Sequence, residues 1–486
     1  MSPLTRVLVT KLLFAGSVAR FARVPLSLNM SSNTLTRRDF VYLSAAAAAM
    51  LGLSSCMSLA QSPRKPRPIA PGAKIRVAQI GCGGKGFSDI SSQADEEVVA
   101  LCDIDWEMPK VKELFEKFPN AKRYRDFRKM LTEMDDQIDA VCVSTPDHMH
   151  FLPTYMAILM GKHVYVQKPL TQTVAEAREL LRIARLNGVV TQMGNQGHAG
   201  EGIRLVREWI DGGVLGDVRE VNIWTNRPVW PQGMQEWPAG DPKPEGLDWE
   251  SFLGRAPVRP FSKAIHPFKW RGWKDYGCGA LGDMACHLMD AAFWGLQLGA
   301  PTSVELNQID GDSKVAFPNS ATVTYQFPAR GKMPPVKLVW YEGGKKPELP
   351  ASMAGRELAK GGQLIIGDKA TVYDGNDYCN SPRIVPESLW QELRPTLPPR
   401  TITRVPEGNP HKEWTAAIRA GNPLLAGSNF EYSVPFTEMV CLGTLAILVG
   451  KKFTWDSAAM RTNLPEANKL LYPNYNRRGW RPQDMV

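Results

Sequence analysis

Lys74-Ile75-Arg76-Val77-Ala78-Gln79-Ile80-Gly81-Cys82-Gly83-Gly84-Lys85-Gly86 is the stretch on which the rest of the chain turns. Residues 74–80 place apolar side chains as a buried strand does. The six that follow match G-x-G-x-x-G, and residues 87–93 then read as a helix. Each glycine has a physical task. Gly81 permits a tight turn, Gly83 lets backbone approach a pyrophosphate, and Gly86 lets helix pack closely on strand. Gly84 and Lys85 complete the loop, and the helix start offers free N–H groups to phosphates. A plain strand-to-helix turn would look similar; the context argues against it.

That context begins with a second apolar run, residues 97–102, which ends at Asp103, 22 residues after Gly81. A carboxylate there suits a ribose 2′-OH and repels a 2′-phosphate, so NAD is favoured over NADP. Asp103 and Ile104 are therefore expected at the cofactor, and no arginine follows in Ile104-Asp105-Trp106. Helices are predicted over 111–118, 127–134, 151–160 and from the Thr173–Glu176 capping box to about 186. Strands are predicted over 138–144, 163–166 and 189–193. The alternation argues for a doubly wound parallel sheet, with ligands at the carboxyl ends of its strands. Three segments fall there: 144–150, with Ser144, Thr145, Pro146 and His150; Gln167-Lys168-Pro169; and 194–198, with Asn195 and His198.

After residue 200 the texture changes. Residues 218–225, 302–309, 321–327 and 336–341 alternate like strands covered on one face, which predicts an open, mostly antiparallel sheet in an α+β second half. Helices are predicted over 200–210, 281–296, 411–420 and 436–449. Residues 228–275 form a long irregular stretch rich in Trp, Pro and Gly, a length that favours function. Trp224, Trp230, Trp237 and Trp249 read either as sugar platforms or, taken one at a time, as packing anchors. Trp270, Arg271 and Trp273 lie just before the 281–296 helix. Within that helix Asp283 and His287 are spaced i, i+4 and share a face. They read either as a site pair or as a satisfied ion pair. A metal held by Asp283, His287 and His198 is conceivable but lacks tight ligand spacing, and no metal is expected.

The bulk numbers set the class. With 486 residues, 43% hydrophobic and 22% charged, the chain has room for two domains and a full core. The formal net charge is +9. In residues 1–56 Arg6, Lys11, Arg20, Arg23, Arg37 and Arg38 oppose Asp39 alone, which leaves +4 for the remainder. No dense basic run occurs there, so nucleic acid is not an expected partner. The eight cysteines contain no CxxC pair. Cys102, Cys142 and Cys441 read as core.

The front end reads as an export signal. Arg37-Arg38 precede an apolar run over 42–53 that is short for a membrane span, as in a twin-arginine signal. Leu53-Ser54-Ser55-Cys56 resembles a lipobox, so a lipid anchor at Cys56 is favoured over cleavage after Ala60. The true start is expected at Met30. The domain plan is thus a signal over 1–56, a linker over 57–73, a dinucleotide domain over 74–194 and a second domain over 195–486. A periplasmic enzyme would need a cofactor loaded before export and tightly held.

Taken together, the glycine loop, Asp103, Ser144-Thr145-Pro146…His150, Lys168-Pro169 and Gly279-Ala280-Leu281-Gly282-Asp283-Met284-Ala285-Cys286-His287 resemble the Gfo/Idh/MocA family, the glucose–fructose oxidoreductase and inositol dehydrogenase group. One departure is Gln167, where the family usually has Glu, so an ionic partner for Lys168 is expected to be lost. The resemblance implies an NAD(P)-dependent oxidoreductase acting on a sugar or polyol hydroxyl, assembled as a dimer or tetramer. It implies His287 as the base, Asp283 as its aid, and Lys168 orienting the hydroxyl. His198, Trp270, Arg271 and Trp273 would meet substrate beside them. A redox-assisted glycoside hydrolase and a cofactor-bearing binding protein are the alternatives.

Overall fold

Strand β1 (Arg76–Ile80) buries Val77, Ala78 and Ile80, so both of its faces are covered, as a central parallel strand requires. The computed structural model to which it belongs describes residues 62–485. The expected export signal, Cys56 and the Met30 start lie outside them. From β1 the chain alternates through α1 (Lys85–Ser91), β2 (Glu97–Cys102), α2 (Pro109–Lys117), β3 (Lys122–Tyr124) and α3 (Phe127–Glu133). It continues through β4 (Ala140–Val143), α4 (Phe151–Leu159), β5 (His163–Val166), α5 (Val174–Asn187) and β6 (Thr191–Met193). The six strands form a wholly parallel sheet in the order β3-β2-β1-β4-β5-β6. The order reverses between β1 and β4, which opens the crevice where such sheets bind ligands. Helix α5 starts as the sequence predicts, with the Thr173 side chain accepting from Glu176 N–H. Strand β3 escaped the sequence reading; Lys122 and Arg123 are exposed and polar, so no apolar run marks it.

The second half runs through α6 (Glu201–Asp211), β7 (Val218–Trp224), α7 (Trp249–Leu253), α8 (Gly279–Leu288) and α9 (Asp290–Gly295). The single helix expected over 281–296 is therefore two helices that meet at Met289. Next come β8 (Ser303–Asp310), β9 (Ser320–Phe327), β10 (Val336–Tyr341), β11 (Gly362–Gly367), β12 (Thr371–Asp374) and β13 (Arg383–Val385). Helices α10 (Glu387–Leu393), α11 (Pro410–Arg419) and α12 (Phe430–Val449) follow, then β14 (Phe453–Asp456), β15 (Arg461–Thr462) and α13 (Pro465–Leu470). The second sheet has nine strands in the order β13-β12-β11-β7-β10-β9-β8-β14-β15, antiparallel except for β7 beside β10. The fold is α/β in its first half and α+β with an open, mostly antiparallel sheet in its second, as expected from sequence.

The two halves share one core. Ile80 and Val143 of the first sheet and Leu152 of α4 join Tyr325 and Val323 of β9 through Leu442 and Leu445 of α12 in one apolar cluster. Helix α12 is mostly apolar and mostly buried, which marks a core helix. Helix α11 crosses back to the parallel sheet, where Trp414, Ala417 and Ile418 pack with Val77, Val111 and Cys142. The described part of the expected linker is also pinned there: Arg64 N–H donates to Asn187 Oδ1 at 2.8 Å, and Arg67 Nη2 donates to Ile138 O at 2.9 Å.

Candidate active site

The glycine loop is built for close approach. Gly81 has φ +83°, and a Cβ there would lie 2.6 Å from Ser144 O. A Cβ on Gly86 would lie 1.8 Å from Gly81 O, so only glycine lets α1 start this near β1. Asp103, at the end of β2, turns back onto the loop: Oδ2 accepts from Cys82 N–H at 2.6 Å and Gly83 N–H at 3.2 Å, and Oδ1 accepts from Asp105 N–H at 2.8 Å. Burial pushes its carboxyl upward, and those amide donors oppose the shift.

This loop is one lip of a cavity of about 520 Å³, within the usual range for small-molecule sites. Gly81, Gly83, Gly84, Lys85, Asp103, Ile104, Ser144, Thr145, Pro146, His150, Gln167 and Lys168 all line it from the first half. Trp270, Arg271, Asp283 and His287 line it from the second. Lys168 Nζ donates to Asp283 Oδ1 at 2.9 Å and to Asp283 O at 2.6 Å. Arg271 Nε reaches the same Oδ1 at 3.3 Å, with its guanidinium 4.2 Å from the centre of the Trp270 ring. Burial opposes ionisation of Asp283, yet Lys168 and Arg271 hold its carboxyl at about 2, so it is a carboxylate.

His287 lies one helical turn beyond Asp283 and is buried. Burial and then the Lys168 ammonium hold its imidazole well below the ordinary histidine range, so the ring is neutral. The Tyr378 ring meets it edge-on at 4.8 Å between centroids. Asp147, also at the cavity, accepts from Cys278 N–H at 3.0 Å; burial pushes its carboxyl up to about 7. His150 sits between Pro169 O at 2.7 Å and Thr145 O at 2.8 Å, and burial pushes it down to about 4. It braces two cavity loops against each other.

The fold and this cavity stand beside known proteins as follows. Residues 75–195 match the Gfo/Idh/MocA model described as an oxidoreductase family with an NAD-binding Rossmann fold. Residues 203–329 match its companion, the C-terminal alpha/beta domain of the same oxidoreductase family, so that together they cover half of the chain.

The chain belongs to the Gfo/Idh/MocA oxidoreductase family.

Among curated relatives, the D-glucoside 3-dehydrogenase of Escherichia coli (strain K12) is 31% identical over 167 residues, 34% of this chain and 46% of that one. The chain spans about half the length of the curated relatives it matches. An inositol dehydrogenase homolog from Azotobacter vinelandii, solved with NADH and myo-inositol, superposes with a TM-score of 0.55 at 20% identity, covering 79% of this chain and 98% of that one. The WlbA dehydrogenase from Bordetella pertussis, solved with NADH and UDP-GlcNAcA, gives 0.54 at 16% identity over 79% and 99%. At these identities the two structures speak to the fold.

In this Gfo/Idh/MocA chain the structure separates four expected site residues from the cavity. Gly86 acts in packing α1 on β1. Asn195 does not reach the cavity: Nδ2 donates to Asp290 Oδ2 at 2.9 Å, and Oδ1 accepts from Ser428 Oγ at 2.6 Å. His198 is corrected likewise, because Nδ1 lies 3.0 Å from Asp290 Oδ1 and the ring packs on Tyr432 and Trp294. It therefore does not converge with Asp283 and His287, as a metal shared by the three would require. Trp273 stacks on Trp237 at 4.9 Å and donates to Ala264 O, so it anchors the 228–275 stretch from behind. Trp224 and Trp249 are core; Trp230 lines the cavity.

Gln167 corrects an expectation as well. It does not stand beside Lys168 as a weakened partner, since Lys168 takes Asp283, while Gln167 Nε2 donates to Asp89 Oδ2 at 2.8 Å. Sequence reasoning missed Asp147, Gln196, Arg227 and Tyr378, all at the cavity. Asp147 and Gln196 sit inside turns already singled out, so their position was the available signal. Arg227 and Tyr378 come from the second half with no motif around them. Arg125 was missed too. No arginine follows Asp103 in sequence, yet Arg125 lines the cavity and donates to Ile104 O at 3.0 Å, with its guanidinium 4.3 Å from the Trp106 ring centre.

Proposed function

We propose that this chain oxidises or reduces a sugar or polyol hydroxyl with NAD, and that Lys168, Asp283 and His287 carry the chemistry. The observation that supports it is their convergence with the glycine loop on one cavity. The residues fit a dinucleotide. Thr145 Oγ1, Gln196 Oε1 and His287 Nδ1 are buried atoms without a hydrogen-bond partner, and all three residues line that cavity. Such atoms are costly unless a ligand or water satisfies them. The nicotinamide, when bound, supplies the hydride acceptor.

The rest falls to the chain. Neutral His287 can take the hydroxyl proton as the C–H bond breaks. Lys168 has three N–H donors and spends two on Asp283, which leaves one for the substrate oxygen. That donor orients the hydroxyl and stabilises the charge that develops on its oxygen. Asp283 spends Oδ1 on Lys168 and Arg271, leaving Oδ2 to accept from a neighbouring hydroxyl. Asp103 supports NAD over NADP, and Arg125 is the group that would weaken that preference.

The proposal includes twin-arginine export, a tightly held cofactor and a periplasmic or Cys56-anchored location, resting on Arg37, Arg38 and Cys56. Assembly as a dimer or tetramer rests on the family resemblance. A second reading, redox-assisted glycoside cleavage, is favoured by one observation: Asp147 is a buried carboxyl at the cavity, pushed by burial to about 7, so both of its protonation states are populated near neutral pH. Product analysis with a panel of sugars and glycosides tests both. A keto-sugar supports oxidation, free aglycone the second reading; neither product contradicts both.

A further inference from the structure

Asp89 is fully buried on α1, directly behind the glycine loop. Its two oxygens take four donors from four segments. Oδ1 accepts from Lys85 Nζ at 2.5 Å and lies 3.3 Å from His411 Nε2 on α11. Oδ2 accepts from Ser144 Oγ at 2.8 Å, in the turn after β4, and from Gln167 Nε2 at 2.8 Å, after β5. Lys85, Ser144 and Gln167 all line the cavity, whereas Asp89 itself does not. His411 is held in turn by stacking on Tyr165 at 4.1 Å and by Gln93 Nε2, 3.0 Å from its Nδ1. Burial disfavours the charged form of Asp89, but His411 and Lys85 outweigh it and its carboxyl sits below the ordinary value.

We infer that Asp89 is a positioning residue for the dinucleotide site, and that it is matched to Gln167 as carboxylate to amide. The inference rests on the reading of the cavity as a dinucleotide site. A buried carboxylate accepts only, so each neighbour must donate. A glutamate at 167 would face Asp89 across the same 2.8 Å. Two carboxylates so close cannot both stay ionised. The amide at 167 is thus what the carboxylate at 89 requires. The pair fixes the turn carrying Lys168 relative to the glycine loop, and Ser144 ties in the third loop. Positional errors in such loops are felt as lost ligand affinity.

The test is a swap, read as the dissociation constant for NAD(H) by titration of the intact protein, with melting temperature measured alongside. Asp89→Asn and Gln167→Glu should each weaken binding by about ten- to hundredfold, because each breaks or inverts a bond to a charged group. The double variant, with the amide at 89 and the carboxylate at 167, restores a donor and an acceptor to that contact and should bind more tightly than the two single losses combined predict. A merely structural Asp89 would lower melting temperature without this reciprocal recovery in affinity. Additive losses in the double variant overturn the inference while leaving the NAD reading intact. If Asp89→Asn yields no soluble protein, Gln167→Glu is compared with Gln167→Leu. Repulsion should make the glutamate variant the weaker binder; equal losses overturn the pairing. A wild-type chain with no affinity for NAD(H) overturns both the inference and the reading beneath it.

Discussion

The two lips of the cavity are built in different ways. On the dinucleotide side, Gly81, Asp103, Ser144 and Gln167 follow directly from the parallel strands β1, β2, β4 and β5. Position on that lip is a consequence of topology. On the facing side, the proposed sugar side, the wall comes from α8, from the 228–275 stretch and from Tyr378 after β12, brought together by packing and ion pairs. In the proposed reading the first lip holds the cofactor and the second carries the chemistry and the choice of substrate. Substitutions on the two lips should therefore fail differently.

The largest effect is expected on the sugar side. Replacing His287→Gln should slow turnover by about 10²–10⁴-fold, as loss of a general base does. Bound NAD and melting temperature should stay near wild type, since the group acts on substrate. Unchanged turnover would move the chemistry off this lip.

Lys168→Met sharpens the contrast. Losing a donor at the developing charge should cost about 10²-fold in turnover. It should also move the pH profile in a set direction. The Lys168 ammonium lowers the His287 imidazole, so its removal raises it, and the acid limb should shift to higher pH. Combined with His287→Gln the losses should be less than additive, because both act on one hydroxyl. An unmoved acid limb would separate the two residues.

Asp103→Ser tests the other lip. NAD affinity should fall by about tenfold and discrimination against NADP should relax, with substrate KM unchanged at saturating cofactor. Because Asp103 also ties Cys82 and Gly83, part of the loss would come from a looser loop. A wild-type preference for NADP would assign that end of the cavity to Arg125 instead.

The smallest effect concerns the sheet behind α8. Glu342 is buried beside Trp340 Nε1 at 3.0 Å, and burial pushes its carboxyl up to about 8 from 4.5. Its unfolded form loses the proton first, so the stability that the protonated group contributes falls as pH rises from about 4.5 to about 8. Glu342→Gln should flatten that slope in denaturation curves. Parallel curves for the two proteins would place an ionised glutamate in the core.

The contrast also explains what the sequence could reveal. The first half was legible because its function is written locally. A glycine pattern, a carboxylate at the end of the next strand and short turns after strands fall within about 120 residues. Asp283 and His287 were legible for the same reason, as two positions on one helix face. What escaped depended on contacts distant in the chain. Asn195 and His198 lie in a turn after β6, as ligand residues would, but the buried carboxylate of Asp290 captures both. Asp89 looked like an ordinary helix residue, because its partners Ser144, Gln167 and His411 come from three remote segments. Strands β12 and β13 escaped because they have only four and three residues, and β11 because glycines stand at both of its ends.

The central claim is that one cavity joins a bound nicotinamide to a base on α8. Single-turnover reduction tests it directly: purified full-length protein saturated with NAD is mixed with a panel of sugars and polyols, and the near-ultraviolet absorbance of NADH is followed. The account predicts a rise with at least one of them, matched by a keto product and lost in His287→Gln while NAD stays bound. An equal rise in His287→Gln, or no rise with any of them from protein that binds NAD, would contradict it.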